Sequence, residues 1–225
     1  MLLVIFGAGA SYDSAPHLPL PQIRGAAIPY WEDRPPLANE LFDIRRPRFA
    51  HIMQSIPECL PIIPYLQKNS ESFLVERVLS DLRAESSGYP ERLRQLAAIR
   101  YYLQSALSLL VNLWNERTHG VTNYKTLLDQ IALHRRPSHC VYFVTFNYDT
   151  LLDTDFSVLG VCIRDMSDYI SHSNYKLVKL HGSTDWGRQI ITPIALRTDV
   201  RDTVHEIISV APTLAISQVY QSDHK

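Results

Sequence analysis

Three cysteines in 225 residues (Cys59, Cys140 and Cys162) are too few, too far apart and odd in number for a disulfide framework. They fit a reduced intracellular protein with buried thiols. No Cys-x-x-Cys pair occurs, and no other tetrahedral ligand set stands at sensible spacing, so no metal is expected. No apolar run reaches the roughly 18 residues that a spanning helix needs, which argues against a membrane and for a cytoplasmic protein. Charge of either sign is not in excess. Lys and Arg total 22, Asp and Glu 23, and the net charge is -1. A chain this balanced has no overall field to steer polyanions, and direct nucleic-acid binding by it is unsupported. Internal repeats and low-complexity tracts are absent too. The apolar start Met1 to Phe6 lacks a basic n-region and runs straight into a glycine turn, so it reads as a first strand and not as a signal peptide.

What remains is an ordinary globular composition, 46% hydrophobic and 20% charged, in a chain long enough to bury a core. The length suits one large domain, or one domain with a helical insertion. Three short apolar runs read as strands, and each closes on a small or polar cluster. Leu2 to Phe6 ends in Gly7-Ala8-Gly9-Ala10-Ser11. Val141 to Phe146 ends in Asn147-Tyr148-Asp149, and Leu177 to Leu180 ends in His181-Gly182-Ser183. In open α/β sheets ligands bind past the carboxyl ends of the strands, so three such tips point to one shared pocket.

Between the first two strands the pattern is helical over about 37–135. Residues 14–36 carry Pro16, Pro19, Pro21, Pro29, Pro35 and Pro36, which exclude regular structure. A loop this long is functional or disordered. Tyr30 and Trp31 either cover a bound nucleotide or are two half-buried surface aromatics. Pro36 suits the first turn of a helix carrying Leu37, Leu41 and Phe42. Ser70 reads as the cap of a helix with Leu74, Val75, Val78, Leu79 and Leu82. Pro90 opens a longer one, with Leu93, Leu96, Leu103, Leu107, Leu110, Val111 and Trp114, ending before Gly120. Thr122 caps a third, with Leu127, Leu128 and Ile131 inward. These stripes are core. After the second strand the pattern predicts a short helix from Asp149 with Leu151 and Leu152 inward, a strand near 159–163 and a strand at 176–180. Signals then fade over 187–225, although Ile207 to Val210 reads as another strand. The basic clusters at Arg45, Arg46 and Arg48 and at His134, Arg135 and Arg136 read as solvated faces.

The glycine turn after the first strand is a natural seat for a phosphate. It departs from the dehydrogenase fingerprint, because Tyr12 stands where a third glycine belongs. The acidic residue expected about 20 positions on at a second strand tip is also missing. Taken together, Gly7-Ala8-Gly9-Ala10-Ser11, Thr145-Phe146-Asn147-Tyr148-Asp149 and His181-Gly182 resemble the sirtuin-like family. That family carries Gly-Ala-Gly-x-Ser, Thr-x-Asn-x-Asp and His-Gly in this order, each after a strand. The resemblance covers residues 1 to about 186 and is greatest to the zinc-free bacterial defence branch.

The resemblance implies a Rossmann-like, mainly parallel α/β domain with a helical insertion between the first two strands, and NAD+ as the substrate. The glycine turn (Gly7, Ala8, Gly9) would hold the pyrophosphate, with Ser11 close to phosphate or ribose and Asp13 also near the cofactor. Asn147 would contact the nicotinamide-side ribose and Asp149 the carboxamide. His181 would be the general base, with Thr145, Gly182 and Ser183 beside the same site. The family's zinc module and its Gly-Ile-Pro-Asp-Phe-Arg cofactor loop are both absent. Their absence moves the expected activity from deacylation to NAD+ hydrolysis, giving nicotinamide and ADP-ribose for antiphage defence. The resemblance also implies gating, by homo-oligomerisation or by a partner such as a short Argonaute, an ATPase or a phage-sensing subunit. A zinc-free protein deacylase and a non-catalytic module that binds NAD+ or ADP-ribose are the alternatives.

The residue types suit this chemistry. Breaking the nicotinamide–ribose bond generates an oxocarbenium-like centre. The leaving group already carries positive charge, so acid assistance is unnecessary. A neutral amide can bond both a hydroxyl and a water, and a histidine can take a proton at cellular pH. Each residue also has a structural reading. Asn147 and Asp149 suit helix capping, which is compatible with catalysis at one strand tip. His181 taken alone reads as a satisfied structural histidine, and Tyr148, Ser183 and Asp185 read as structural.

Overall fold

A computed structural model describes residues 1–15, 32–70, 75–86, 89–191, 204–205, 207–208 and 215–221. The chain is a mixed α/β protein in which three strands form one parallel sheet, in the order β1-β2-β3. The strands are β1 (Leu2–Phe6), β2 (Val141–Thr145) and β3 (Tyr175–Lys179). Between β1 and β2 run α1 (Ala8–Tyr12), α2 (Pro47–Ser55), α3 (Ile63–Ser70), α4 (Val75–Glu85), α5 (Pro90–Thr118) and α6 (Asn123–His134). After β2 come α7 (Leu151–Asp155) and α8 (Asp168–Ser171). Beyond β3, where the sequence signals fade, β4 (Trp186–Ile191) pairs with β5 (Ala215–Gln221) in a separate two-stranded sheet. Among the described residues no helix is long and apolar enough to cross a membrane.

The chain divides into two compact units. One comprises Met1–Leu37, Leu107–Gly187 and Val219–Lys225, and the other Ala38–Ala106 and Arg188–Gln218. In the first, the period-2 alternation of strand side chains turns Val4, Phe6, Val141, Phe143, Thr145, Tyr175, Leu177 and Lys179 to one face. That face packs with Trp114 of α5, Tyr124 and Leu128 of α6, Leu151 and Leu152 of α7, and Phe156 into one core. Phe143 is wholly buried, and burying such a side chain contributes about 1.5–3 kcal/mol. Leu3, Ile5 and Tyr142, on the opposite face, are exposed. The apolar run at 141–146, which reads as a buried strand, therefore buries only alternate residues. In the second unit Leu41, Phe42, Phe49, Met53, Leu66, Ile99 and Tyr102 are buried, and the Tyr102 hydroxyl donates to the Leu41 carbonyl at 2.6 Å.

Several local expectations hold. Pro90 opens α5, and Thr122 caps α6 by accepting from the Lys125 amide at 3.1 Å. Leu151 and Leu152 of α7 are buried. Others are corrected. The helix expected from Pro36 is a single 3-10 turn at Ala38–Glu40, and the first longer helix there starts at Pro47. Ser70 ends α3 and does not open the helix that follows. Leu127 of α6 is exposed, because Tyr124, Leu128 and Ile131 supply its inward stripe. Where a strand is expected near 159–163, a 3-10 turn, Phe156–Leu159, is stopped by Gly160 in the left-handed region at φ 71°, and 161–163 have no regular structure. Leu159, Val161 and Ile163 still pack on the core, so their alternation reflects burial without strand pairing. Ile207 and Ile208 are helical where a strand is predicted. Tyr30, Trp31 and Leu74 lie outside the described residues.

Candidate functional site

The strand register decides where the polar clusters stand. Phe6 pairs with Thr145, and Thr145 with Lys179, so all three strands end level. The ladder continues one residue further. The Phe146 amide donates to the Phe6 carbonyl at 3.1 Å, and the Leu180 amide to the Thr145 carbonyl at 3.0 Å. Gly7 to Ser11, Asn147 to Asp149 and His181 to Ser183 thus leave the same edge of one parallel sheet. Such an edge is where α/β sheets bind ligands.

The first turn is short. Gly7 is extended (φ -111°, ψ -178°), Ala8 begins α1, and Asp13 ends it with its amide on the Gly9 carbonyl at 2.9 Å. A Cβ added at Gly7 or Gly9 would meet nothing within 4 Å, so neither glycine is demanded by packing. The chain after α1 is gripped from α5 and α6. The Trp114 indole donates to Ser14 Oγ at 2.8 Å, and the Asn123 carboxamide donates to the carbonyls of Asp13 (2.8 Å) and Ala15 (3.1 Å). The exposed Asp13 carboxylate pairs with Arg34 at 2.5 Å, and the Arg34 guanidinium lies 3.6 Å from the centre of the Tyr12 ring.

Asn147 is the most enclosed of the candidate pair. Its amide N–H donates to Thr145 Oγ1 at 3.0 Å, which gives buried Thr145 a role in fixing the tip. Its carboxamide Nδ2 donates to Ser11 Oγ at 2.7 Å and approaches the Tyr124 hydroxyl at 3.3 Å. Ser11 Oγ and the Tyr124 hydroxyl are 3.0 Å apart. All three residues are buried, Asn147 being 7% exposed. The carboxamide oxygen, Oδ1, is buried with no hydrogen-bond partner. Buried polar atoms are almost always paired, and an unpaired one costs roughly 1–3 kcal/mol. Asp149 is also buried, and its Oδ1 accepts from the amide of Leu151, the first residue of α7, at 3.1 Å.

His181 is placed differently. Its ring is exposed, 5.3 Å edge-on from the Phe146 ring and 5.7 Å from the Tyr148 ring. Both aromatics flank Asn147 in sequence. Gly182 has φ 89°, a conformation that favours glycine, and it reverses the chain so that the Thr184 amide reaches the Tyr148 carbonyl at 2.9 Å. Ser183 Oγ donates to the same carbonyl at 3.4 Å.

No protein-family model matches the chain, and no curated protein matches it significantly.

Beneath the tips lies a buried ionic network that pattern reading passes over. Lys179, with no side-chain exposure, donates to Asp153 Oδ2 at 2.8 Å and to the Asp149 carbonyl at 2.5 Å. Asp153 also accepts from the Tyr169 hydroxyl at 2.5 Å, and Tyr169 accepts from the Trp186 indole at 3.2 Å. Burial pushes the Asp153 carboxyl up, against the lowering influence of Lys179 and of the Tyr169 hydroxyl. Burial and the Asp153 carboxylate push the Tyr169 phenol up as well. The network ties β3 to α7 and clamps the backbone at Asp149, two residues from Asn147. Tyr124 is the other residue that the motifs omit. Its signal was present: it stands four residues before Leu128 on the inward stripe of α6, a hydroxyl aimed at the core. Among the described residues no group of three or more His, Cys, Asp or Glu is placed to hold a metal ion.

Proposed function

We propose that the level edge of the parallel sheet is a site for NAD+, and that the protein hydrolyses the nicotinamide–ribose bond. One observation carries the reading: Asn147 Oδ1 is buried without a partner at a strand tip, while its Nδ2 is already engaged. An acceptor held in this way suits a ligand group that donates a hydrogen, such as a ribose hydroxyl or an attacking water. The resemblance of the three motifs to the sirtuin-like family supports the same ligand, and with it a Rossmann-like interpretation of the sheet. The open space at Gly7 and Gly9 suits close approach of a pyrophosphate to backbone.

In this scheme Asn147 orients a ribose hydroxyl or the water, and Asp149 lies nearest the nicotinamide carboxamide. The bond between ribose C1′ and the pyridinium nitrogen breaks, and its electron pair leaves with neutral nicotinamide. Water oxygen bonds to C1′, and its proton passes towards His181. Because hydrolysis without control would drain the cell of NAD+, gating by self-association or by a defence partner belongs to the proposal.

The test is to incubate the full chain with NAD+ and follow free nicotinamide, beside Asn147→Ala and His181→Ala. Release by the wild type and its loss in both variants is the expected result. Release that requires an acylated peptide would replace the proposal with a deacylase. Binding of NAD+ without release, in every assembly state tested, would replace it with a sensor module.

A further inference from the structure

The Asn147 carboxamide is oriented by two hydroxyls, and only one of them belongs to the glycine turn. The other is Tyr124, from the first turn of α6. Counting hydrogens shows what this contact does. Ser11 and Tyr124 have one hydroxyl hydrogen each, and one of the two spans the contact between them. Turned over, the Asn147 amide would set its oxygen against two hydroxyls with a single hydrogen left to give. One of the three contacts would then be unbonded. With Nδ2 inward the amide brings its own hydrogens, and Oδ1 faces away from the hydroxyl pair.

We infer that Tyr124 is a positioning residue of the strand-tip site, whose hydroxyl, with Ser11 Oγ, holds the Asn147 amide in the one orientation that presents Oδ1 to a ligand. The inference rests on the reading of that edge as the NAD+ site. It also specifies the ligand group. Oδ1 is an acceptor that lacks a donor, so the group it takes must donate a hydrogen, as a hydroxyl or a water does.

Tyr124 is held where this requires. The Thr122 cap fixes the start of α6, and the Tyr124 ring packs edge-on against Phe6 at 5.3 Å. Burial, with the Asp149 carboxylate next, pushes its phenol up, so it stays a hydroxyl at neutral pH. Tyr124→Phe keeps the ring and its packing and removes only the hydroxyl, with its contacts to Asn147 and Ser11.

The experiment uses 15N-labelled full-length chain, with the Asn147 side-chain NH2 pair identified by its loss in Asn147→Ala. In the wild type this pair should exchange slowly with solvent. In Tyr124→Phe its exchange should be roughly five- to tenfold faster, as for the loss of one net hydrogen bond. NAD+ titrated into both proteins should bind roughly five- to tenfold more weakly to Tyr124→Phe. A freely exchanging Asn147 pair in the wild type, or an exchange rate unchanged in Tyr124→Phe, would overturn the positioning role whatever NAD+ does. Slow exchange that Tyr124→Phe abolishes, in a protein that NAD+ does not bind, would leave the positioning role standing and remove the NAD+ reading.

Discussion

Lys179→Met should be the most damaging single substitution in the first unit, and the structure sets the scale. The Lys179 ammonium is wholly enclosed, and its partners are the Asp153 carboxylate and the Asp149 carbonyl. Methionine fills much the same volume but leaves the carboxylate buried with the Tyr169 hydroxyl as its remaining side-chain donor. Removing one member of a buried pair costs about 3–5 kcal/mol. A chain of this size loses roughly 2–4 °C of melting temperature per kcal/mol, so the variant should melt about 6–20 °C lower. The loss should depend on pH. Burial raises the Asp153 carboxyl, and Lys179→Met removes the cation that opposes that rise. The folded variant then binds a proton more tightly than the unfolded chain does. Its unfolding free energy therefore falls as pH rises from the ordinary carboxylate range through the raised folded value. The deficit relative to wild type should be smallest near pH 5 and largest near pH 8. Adding Asp153→Asn should return part of the lost stability, because it removes the stranded charge. Urea denaturation of the wild type, the single variant and the double variant at both pH values measures each quantity. A loss under about 1 kcal/mol, or one identical at pH 5 and pH 8, would refute the ion-pair argument.

Gly9→Ala should move stability and binding in opposite directions. Alanine in place of an exposed helical glycine, with nothing within 4 Å of the new Cβ, should stabilise by about 0.5–1 kcal/mol. If the turn seats a pyrophosphate, the same methyl weakens NAD+ binding, and calorimetry showing unchanged affinity would remove the phosphate from this turn. The cysteines should label in order of exposure when iodoacetamide is added at pH 8. Cys162 is exposed and should react first, whereas burial pushes the Cys59 thiol up to about 11 and it should react only in urea. The folded chain keeps the Cys59 proton where the unfolded chain loses it, so stability should fall as pH rises from about 9 to 11. Labelling of Cys59 as fast as Cys162 in the native protein would contradict its burial.

The amino-acid sequence by itself determined the elements whose cause is local. β-branched and aromatic runs made β1, β2 and β3 legible, and Pro90 and Thr122 announced the starts of α5 and α6, because strand propensity and capping act within a few residues. It also marked Asn147 and His181 as chemistry-bearing, since polar residues closing an apolar run are visible in one dimension. Tertiary structure decided the rest. Whether the three tips stand level is a matter of register, set by hydrogen bonds between strands separated by more than 130 residues in one case. Leu159, Val161 and Ile163 alternate like a strand but pair with no strand among the described residues; they pack on the core from the end of a 3-10 turn and the irregular segment after it. Tyr124 and Lys179 carry no motif. Their roles arise because α6 and β3 bring a hydroxyl and an ammonium to the backs of the tips, where low dielectric makes an unpaired polar group costly and so fixes how the carboxamide of Asn147 is held.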